Sequence, residues 1–243
     1  MKFGLQKEGL GISKNEKPKS KTLMYFVIYF RRFWKLMGLN MLFLVICLPV
    51  VTIGPANAAM AYILRKYSQE ETAYVWKDFW QQFKENFKQG LSFGLISLAA
   101  YGLLGLAFYF YVLQAQIDPI AYALAAICGL ALVVLTFISY YAYLLMVTVK
   151  LPLTKIIRNS LAMALGNLGA NLLAFAINLF LIAVTVFLYP VSLLLVLILI
   201  PVTCAYTISF LCYPKVKAIF VDPQVSAKEQ IPAREAIFKD TIE

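Results

Sequence analysis

The chain has 243 residues, 62% of them apolar and only 14% charged, with no histidine and a net charge of +10. Soluble domains carry about 25% charged and about 45–50% apolar residues, so this composition excludes a soluble globule and a disordered chain. The same greasiness excludes an ordinary nucleic-acid binder, although the chain is basic.

In chain order, residues 1–22 are basic and rich in Gly, Ser and Asn, as expected of a flexible cytoplasmic tail. Leu23 to Phe30 is apolar and aromatic but short, and Arg31, Arg32 and Lys35 follow at once. It reads as an interfacial anchor whose basic cluster is drawn to an anionic inner leaflet. Residues 36–64 carry no Asp, Glu, Lys or Arg. Their middle, Leu48 to Pro55 (LPVVTIGP), holds two prolines and a glycine, which cannot sit in an unbroken helix. The expectation is a re-entrant helical hairpin, with 36–48 entering, a turn at 49–54 and 55–66 returning, wrapped by the remaining helices because irregular backbone at membrane depth needs cover. A single kinked crossing and a full two-pass hairpin are the alternatives. Ala56-Asn57-Ala58 imitates a signal-peptide cleavage site, but the apolar run begins too late for a signal peptide.

Residues 74–89 place Trp76, Phe79, Trp80, Phe83 and Phe87 on one helical face, edged by Lys77, Lys84 and Lys88. An aromatic face rimmed with lysines suits the headgroup layer; docking to a protein partner is the other use of such a helix. Four apolar runs follow, expected to cross at 91–113, 120–149, 161–188 and 191–213, with the last two joined near Tyr189-Pro190. Lys and Arg concentrate in 1–35, 65–90, 150–158 and 215–243, with nine, five, three and five residues. The positive-inside rule therefore places these segments and both chain ends in the cytoplasm. Together the segments form an all-α polytopic transmembrane bundle: four full crossings, a re-entrant or kinked hairpin at 36–66, and an interfacial amphipathic helix. The membrane domain is 23–220, followed by a cytoplasmic tail at 221–243.

Two candidate sites lie inside the apolar segments. Broken helices leave backbone donors and acceptors free near the midplane, where they bind ions or polar solutes; Pro49, Thr52, Gly54, Pro55 and Asn57 would supply that chemistry. A structural wedge with a self-satisfied turn is the competing reading. The second candidate is a polar stripe, Asn167, Asn171, Asn178 and Thr185, aligned with Ser160 on one helical face. Beside it run Ala162, Gly166, Ala170 and Ala174, a small-residue ridge of the kind that packs helices closely; Gly90 and Gly94 form a second such pair. Helix–helix adhesion is the favoured role of the stripe, with a solute path as the other. Cys47, Cys128, Cys204 and Cys212 have no metal-ligand spacing, and no metal or cofactor is expected. No acid–base pair, phosphate loop or hydrolase motif occurs in the apolar runs, so the reading is non-enzymatic. Nothing in the chain fixes an oligomeric state.

Residues 32–40 (RFWKLMGLN), 48–56 (LPVVTIGPA), 75–80 (VWKDFW) and 83–87 (FKENF) resemble the YesL-like family of bacterial integral membrane proteins of unknown function. The resemblance extends over roughly 25–220 and is most specific in the first hundred residues. It implies a plasma-membrane protein of Gram-positive bacteria, encoded near carbohydrate ABC-transporter subunits and sugar-degrading enzymes. From that follows an expected role as an accessory or regulatory component of carbohydrate uptake, with ABC transporter subunits as partners. The chain lacks the Glu-Ala-Ala coupling motif of a permease subunit. The alternative role is a channel or facilitator for a small solute, built on the broken hairpin at 49–55.

Overall fold

In the computed structural model, residues 21–189 and 198–223 are described. Nine helices account for most of them: α1 (Lys21–Arg31), α2 (Phe33–Ile46), α3 (Ile53–Ser68), α4 (Val75–Glu85), α5 (Phe87–Gln114), α6 (Ile120–Thr148), α7 (Leu153–Gly166), α8 (Leu168–Phe187) and α9 (Ile200–Val216), the last continued by a π-helical turn, Lys217–Val221. The chain is an all-α bundle in which, among the described residues, four helices are long and apolar enough to cross a membrane: α5, α6, α8, and α9 with its extension. The expected tails fall largely outside the described residues, as does the turn at Pro190.

Residues 36–64 are not one rod. Helix α2 ends at Ile46, a 3₁₀ turn spans Val50–Thr52, and α3 starts at Ile53. Gly54 and Pro55 therefore lie in the first turn of α3, where a missing N–H costs nothing. At 1.5 Å per residue α2 is ~21 Å long and α3 ~24 Å, against a hydrocarbon core of ~30 Å. The turn lies beside Leu98 and Tyr101, midway along α5. Both outer ends of the hairpin return to one level. Arg32, at the head of α2, donates to the carbonyls of Glu71 (2.7 Å) and Glu70 (3.0 Å), just past the end of α3. Arg65, near the end of α3, donates to Val147 O (3.1 Å) and Thr148 Oγ1 (2.9 Å), at the end of α6. This is the geometry of a helical hairpin whose two outer ends lie together.

The wrapping expected around the hairpin holds for one arm. Helix α3 packs against α4, α5, α6 and α9 and buries Ala58, Ile63 and Leu64 completely. The turn itself is not enclosed: Leu48, Val50 and Val51 are exposed. Apolar side chains at that depth find lipid as good a neighbour as protein, so only the polar groups of the turn need cover.

Four further expectations are corrected. The helix expected at 74–89 ends at Glu85, and Asn86 separates it from α5; Phe87 and Lys88 thus belong to α5. The crossing expected at 161–188 is divided at Asn167, whose backbone (φ −126°, ψ 43°) leaves the helical region. The small residues around it, Gly166 and Gly169, are poor helix formers and allow the break. The last crossing runs past 213 to Val221, and its start falls partly in undescribed residues. The anchor at Leu23–Phe30 is a helix that buries Ile28 and Tyr29 rather than lying wholly in the interface. The hydroxyls of Tyr25 and Tyr29 pair with Thr207 (2.9 Å) and Thr203 (2.8 Å) on α9.

The bundle is sealed by polar contacts at its basic end. Besides Arg32 and Arg65, Lys217 Nζ reaches Gln69 Oε1 at 3.3 Å, and Lys66 pairs with Asp78 at 3.4 Å. Burial of its guanidinium holds Arg32 below the ordinary arginine range, partly offset by the neighbouring Tyr67 and Glu70. The ring of Tyr67 lies 4.3 Å from that guanidinium, a cation–π contact. The opposite end is closed more simply. Asp118 Oδ1 accepts from Ile120 N–H at 2.9 Å and caps α6.

Candidate functional site

The broken hairpin brings two features together: a close helix crossing and a pair of small cavities. At the crossing, α3 meets α5 through Gly54 and Pro55 on one side and Gly90 and Gly94 on the other. A Cβ at Gly54 would overlap the carbonyl oxygen of Gly90, one at Gly90 would lie 2.8 Å from Pro55 Cα, and one at Gly94 would lie 2.9 Å from Gly54 Cα. Backbones this close gain dispersion contacts that no side chain permits, which is how helices associate where lipid removes the hydrophobic drive.

The polar groups of the turn are satisfied from within. Thr52 Oγ1 donates to Ile46 O and lies 2.6 Å from Pro49 O. Thr52 N–H also donates to Pro49 O at 2.9 Å. Of the five hairpin residues named from the sequence, Pro49 and Thr52 therefore build the turn, while Gly54 and Pro55 build the crossing. Asn57 is the one polar side chain of the five that lines a cavity, and Gly54 borders the same space.

That space consists of two adjoining cavities of about 190 and 220 Å³ that share Asn57, Ser139 and Tyr143. Tyr140 and Ser209 line the first, whereas Ser97 and Tyr101 line the second. The lining is mostly apolar, with one amide, a few hydroxyls and aromatic rings set into it, and among the described residues it carries no ionisable acid or base beyond the phenols. Tyr101 hydroxyl donates to Thr136 Oγ1 (3.2 Å) and lies 3.4 Å from Ser139 Oγ, and Ser97 Oγ donates to Gly94 O (3.0 Å). Such a surface suits water or a small neutral solute, with no charge to hold an ion. Sequence reasoning reached Asn57 but missed Ser97, Ser139 and Ser209, because isolated serines in apolar runs give no signal until three helices meet.

The polar stripe is split. Asn171 is fully buried: its Nδ2 donates to Ala164 O (2.7 Å), and its Oδ1 accepts from the Tyr141 hydroxyl (2.8 Å), with Cys212 Sγ at 3.8 Å. It joins α6, α7, α8 and α9. Asn167 and Thr185 instead turn back on their own chain, to Met163 O (3.1 Å) and Leu181 O (2.8 Å). The buried Oδ1 of Asn178 and Oγ of Ser160 have no hydrogen-bond partner among the described residues. Of the small-residue ridge, Ala174 is buried while Ala162 and Gly166 are exposed. One amide that the sequence did not single out, Asn40, is fully buried on α2 and accepts from Val202 N–H at 3.1 Å. It supplies the acceptor that the start of α9 needs, beside Pro201.

The aromatic face of α4 divides in the same way. Phe79 and Phe83 turn inward and are buried in the cluster that includes Ile63, Leu64 and Tyr67 of α3, so an expected lipid face is largely a protein contact. Its amphipathicity is met by α3, which offers a longer apolar surface than the headgroup layer does. Trp76 remains outside at 67% exposure, with Trp34 of α2 at 76%, at the basic end where indole rings favour the membrane interface. Lys77, Lys84 and Lys88 are exposed.

Among the described residues no group of three or more His, Cys, Asp or Glu is placed to hold a metal. The model of a family described as "Protein of unknown function, DUF624" matches residues 36–108. The matched stretch holds most of α2, the turn, α3, α4 and most of α5, which includes the glycine crossing. No curated protein and no solved structure matches the chain significantly.

Proposed function

We propose that this is a non-enzymatic integral membrane protein serving as an accessory or regulatory component of a carbohydrate transport system of the ABC type, set in the plasma membrane with both termini cytoplasmic. The observation that carries this reading is the self-closure of the hairpin. Its turn is bonded to itself through Thr52, and its crossing is backbone against backbone at Gly54, Gly90 and Gly94. A wedge of that kind holds a scaffold in shape and brings α3 and α5 into backbone contact. The carbohydrate context comes from the resemblance to the YesL-like family, and the topology from the basic clusters. The exposed Trp34 and Trp76 at the basic end offer a rim for a membrane-embedded partner. Affinity purification of the tagged chain from mild detergent extracts should recover ABC transporter subunits; a chain that always isolates alone argues against the role.

The second reading, a facilitator for a small neutral solute, rests on the cavities around Asn57. Liposomes carrying the purified protein would then pass small polyols faster than protein-free vesicles. In that case Asn57→Leu would reduce the flux at least several-fold, whereas Thr52→Val would act only through the turn. Equal leak from both kinds of vesicle removes this reading.

A further inference from the structure

A cleft of about 910 Å³, several times the size of either hairpin cavity, opens at the basic end between the α4–α5 junction and the α6–α7 connection. Lys84 and Lys88 line one wall, and Lys150 lines the other. The walls are tied together by Gln89 Nε2, which donates to Leu151 O at 3.0 Å. The α6 side is pinned by Arg65 through Val147 O and Thr148 Oγ1. The cleft is therefore built by tertiary contacts and is more than a run of surface lysines.

Its charge is unbalanced. Among the described residues Glu85 is the one carboxylate in the lining, and both of its oxygens are taken by neutral amides, Gln81 Nε2 at 2.9 Å and Gln82 Nε2 at 2.8 Å. The ion pairs among the described residues are Arg31 with Glu70 and Lys66 with Asp78, so none of the three cleft lysines has an ionic partner there. Three ammonium groups around one opening repel each other unless an anion lies between them. The remaining wall is apolar, with Tyr62, Met146, Val147 and Leu151. The cleft stands where α5 begins and α6 ends.

From this juxtaposition of three unpaired lysines and an apolar wall, we propose that the cleft binds a phosphate ester of net negative charge. A phosphate offers the several strong acceptor oxygens that lysines recognise as point charges. The apolar wall would hold the glycerol and first methylenes of an anionic phospholipid; a soluble phosphate ester shares the same headgroup chemistry.

The test is thermal unfolding of the full-length protein in neutral detergent, followed by tryptophan fluorescence. The protein is titrated with phosphatidylglycerol, with phosphatidylcholine and, separately, with glycerol 3-phosphate. Phosphatidylglycerol should raise the midpoint in a saturable way, and phosphatidylcholine should not. Near a membrane surface each lysine is worth about 1 kcal/mol, or roughly five-fold in affinity. K84Q/K88Q/K150Q should thus weaken binding by roughly a hundred-fold, and the single changes K88Q and K150Q, which leave the fold least disturbed, by about five-fold each. The triple change K77Q/K155Q/K215Q removes the same charge outside the cleft lining and should bind as the parent does. Saturation by glycerol 3-phosphate at matching concentrations would assign the cleft to soluble phosphate esters, and its failure beside phosphatidylglycerol binding would assign it to lipid. No shift with either phosphatidylglycerol or glycerol 3-phosphate, an equal shift with phosphatidylcholine, or equal losses in the two triple variants would overturn the proposal.

Discussion

The two halves of this bundle are held by different means. In the half near the basic end, α3 fills the centre and protein packs on protein: Tyr141, Leu145, Ile63 and Cys212 have no exposed surface. In the distal half the hairpin has already turned back, and Leu103, Leu106, Ile127, Phe180 and Val186 are each more than 60% exposed. One composition thus serves two environments. Where a short hairpin reaches, helices converge through glycine and buried amides; beyond its tip, lipid is left to cover the same kinds of side chain. Depth of the wedge, and not hydrophobicity, decides which residues are structural.

That contrast sets a ranked group of experiments. The largest effect is all-or-none. Single cysteines at Lys19, Gln69, Gln116 and Gln224 in a cysteine-free background should differ completely in labelling by an impermeant thiol reagent on whole cells. Only position 116 should react, because it lies at the distal end; labelling at 69 would place the hairpin's return arm on the other face. Next, Gly54→Leu or Gly90→Leu forces side chains into backbone and should cost several kcal/mol, enough to abolish a cooperative unfolding transition in detergent. The same change at Gly102 or Gly105, where nothing lies within 4 Å, should leave the transition in place. Equal damage at both depths would dissolve the distinction. A smaller difference is expected among the polar groups. Asn171→Leu strands the Tyr141 hydroxyl and the Ala164 carbonyl and should destabilise by about 1–2 kcal/mol. Thr185→Val loses only a bond to its own helix and should change the midpoint by less than about 0.5 kcal/mol.

The helical class, the runs α5 and α6, and the break at Pro49 to Pro55 were legible because each depends on local chemistry: length against bilayer thickness, charge-free runs, and proline's missing donor. The Gly90 and Gly94 pair was legible as a packing motif, but its partner Gly54 was legible only as a turn residue. Less visible were the inward turn of Phe79 and Phe83 and the division of the stripe at Asn167. An aromatic face fits lipid or protein equally well, and seven-residue spacing assumes an unbroken helix. The serines around Asn57 and the lysine cleft could not be read at all, since Ser97, Ser139 and Ser209, like Lys84 and Lys150, are far apart in the chain.

By itself, then, the order of residues determined that the chain lies in a membrane, how many helices are long enough to cross, and that the first apolar stretch is broken. These follow from transfer energies and backbone geometry, which act residue by residue. Only the tertiary structure decided which arm of the hairpin is buried, which amides join helices, and which lysines converge, because inside a bilayer apolar side chains are indifferent between lipid and protein, and the choice falls to shape and to the pairing of polar groups.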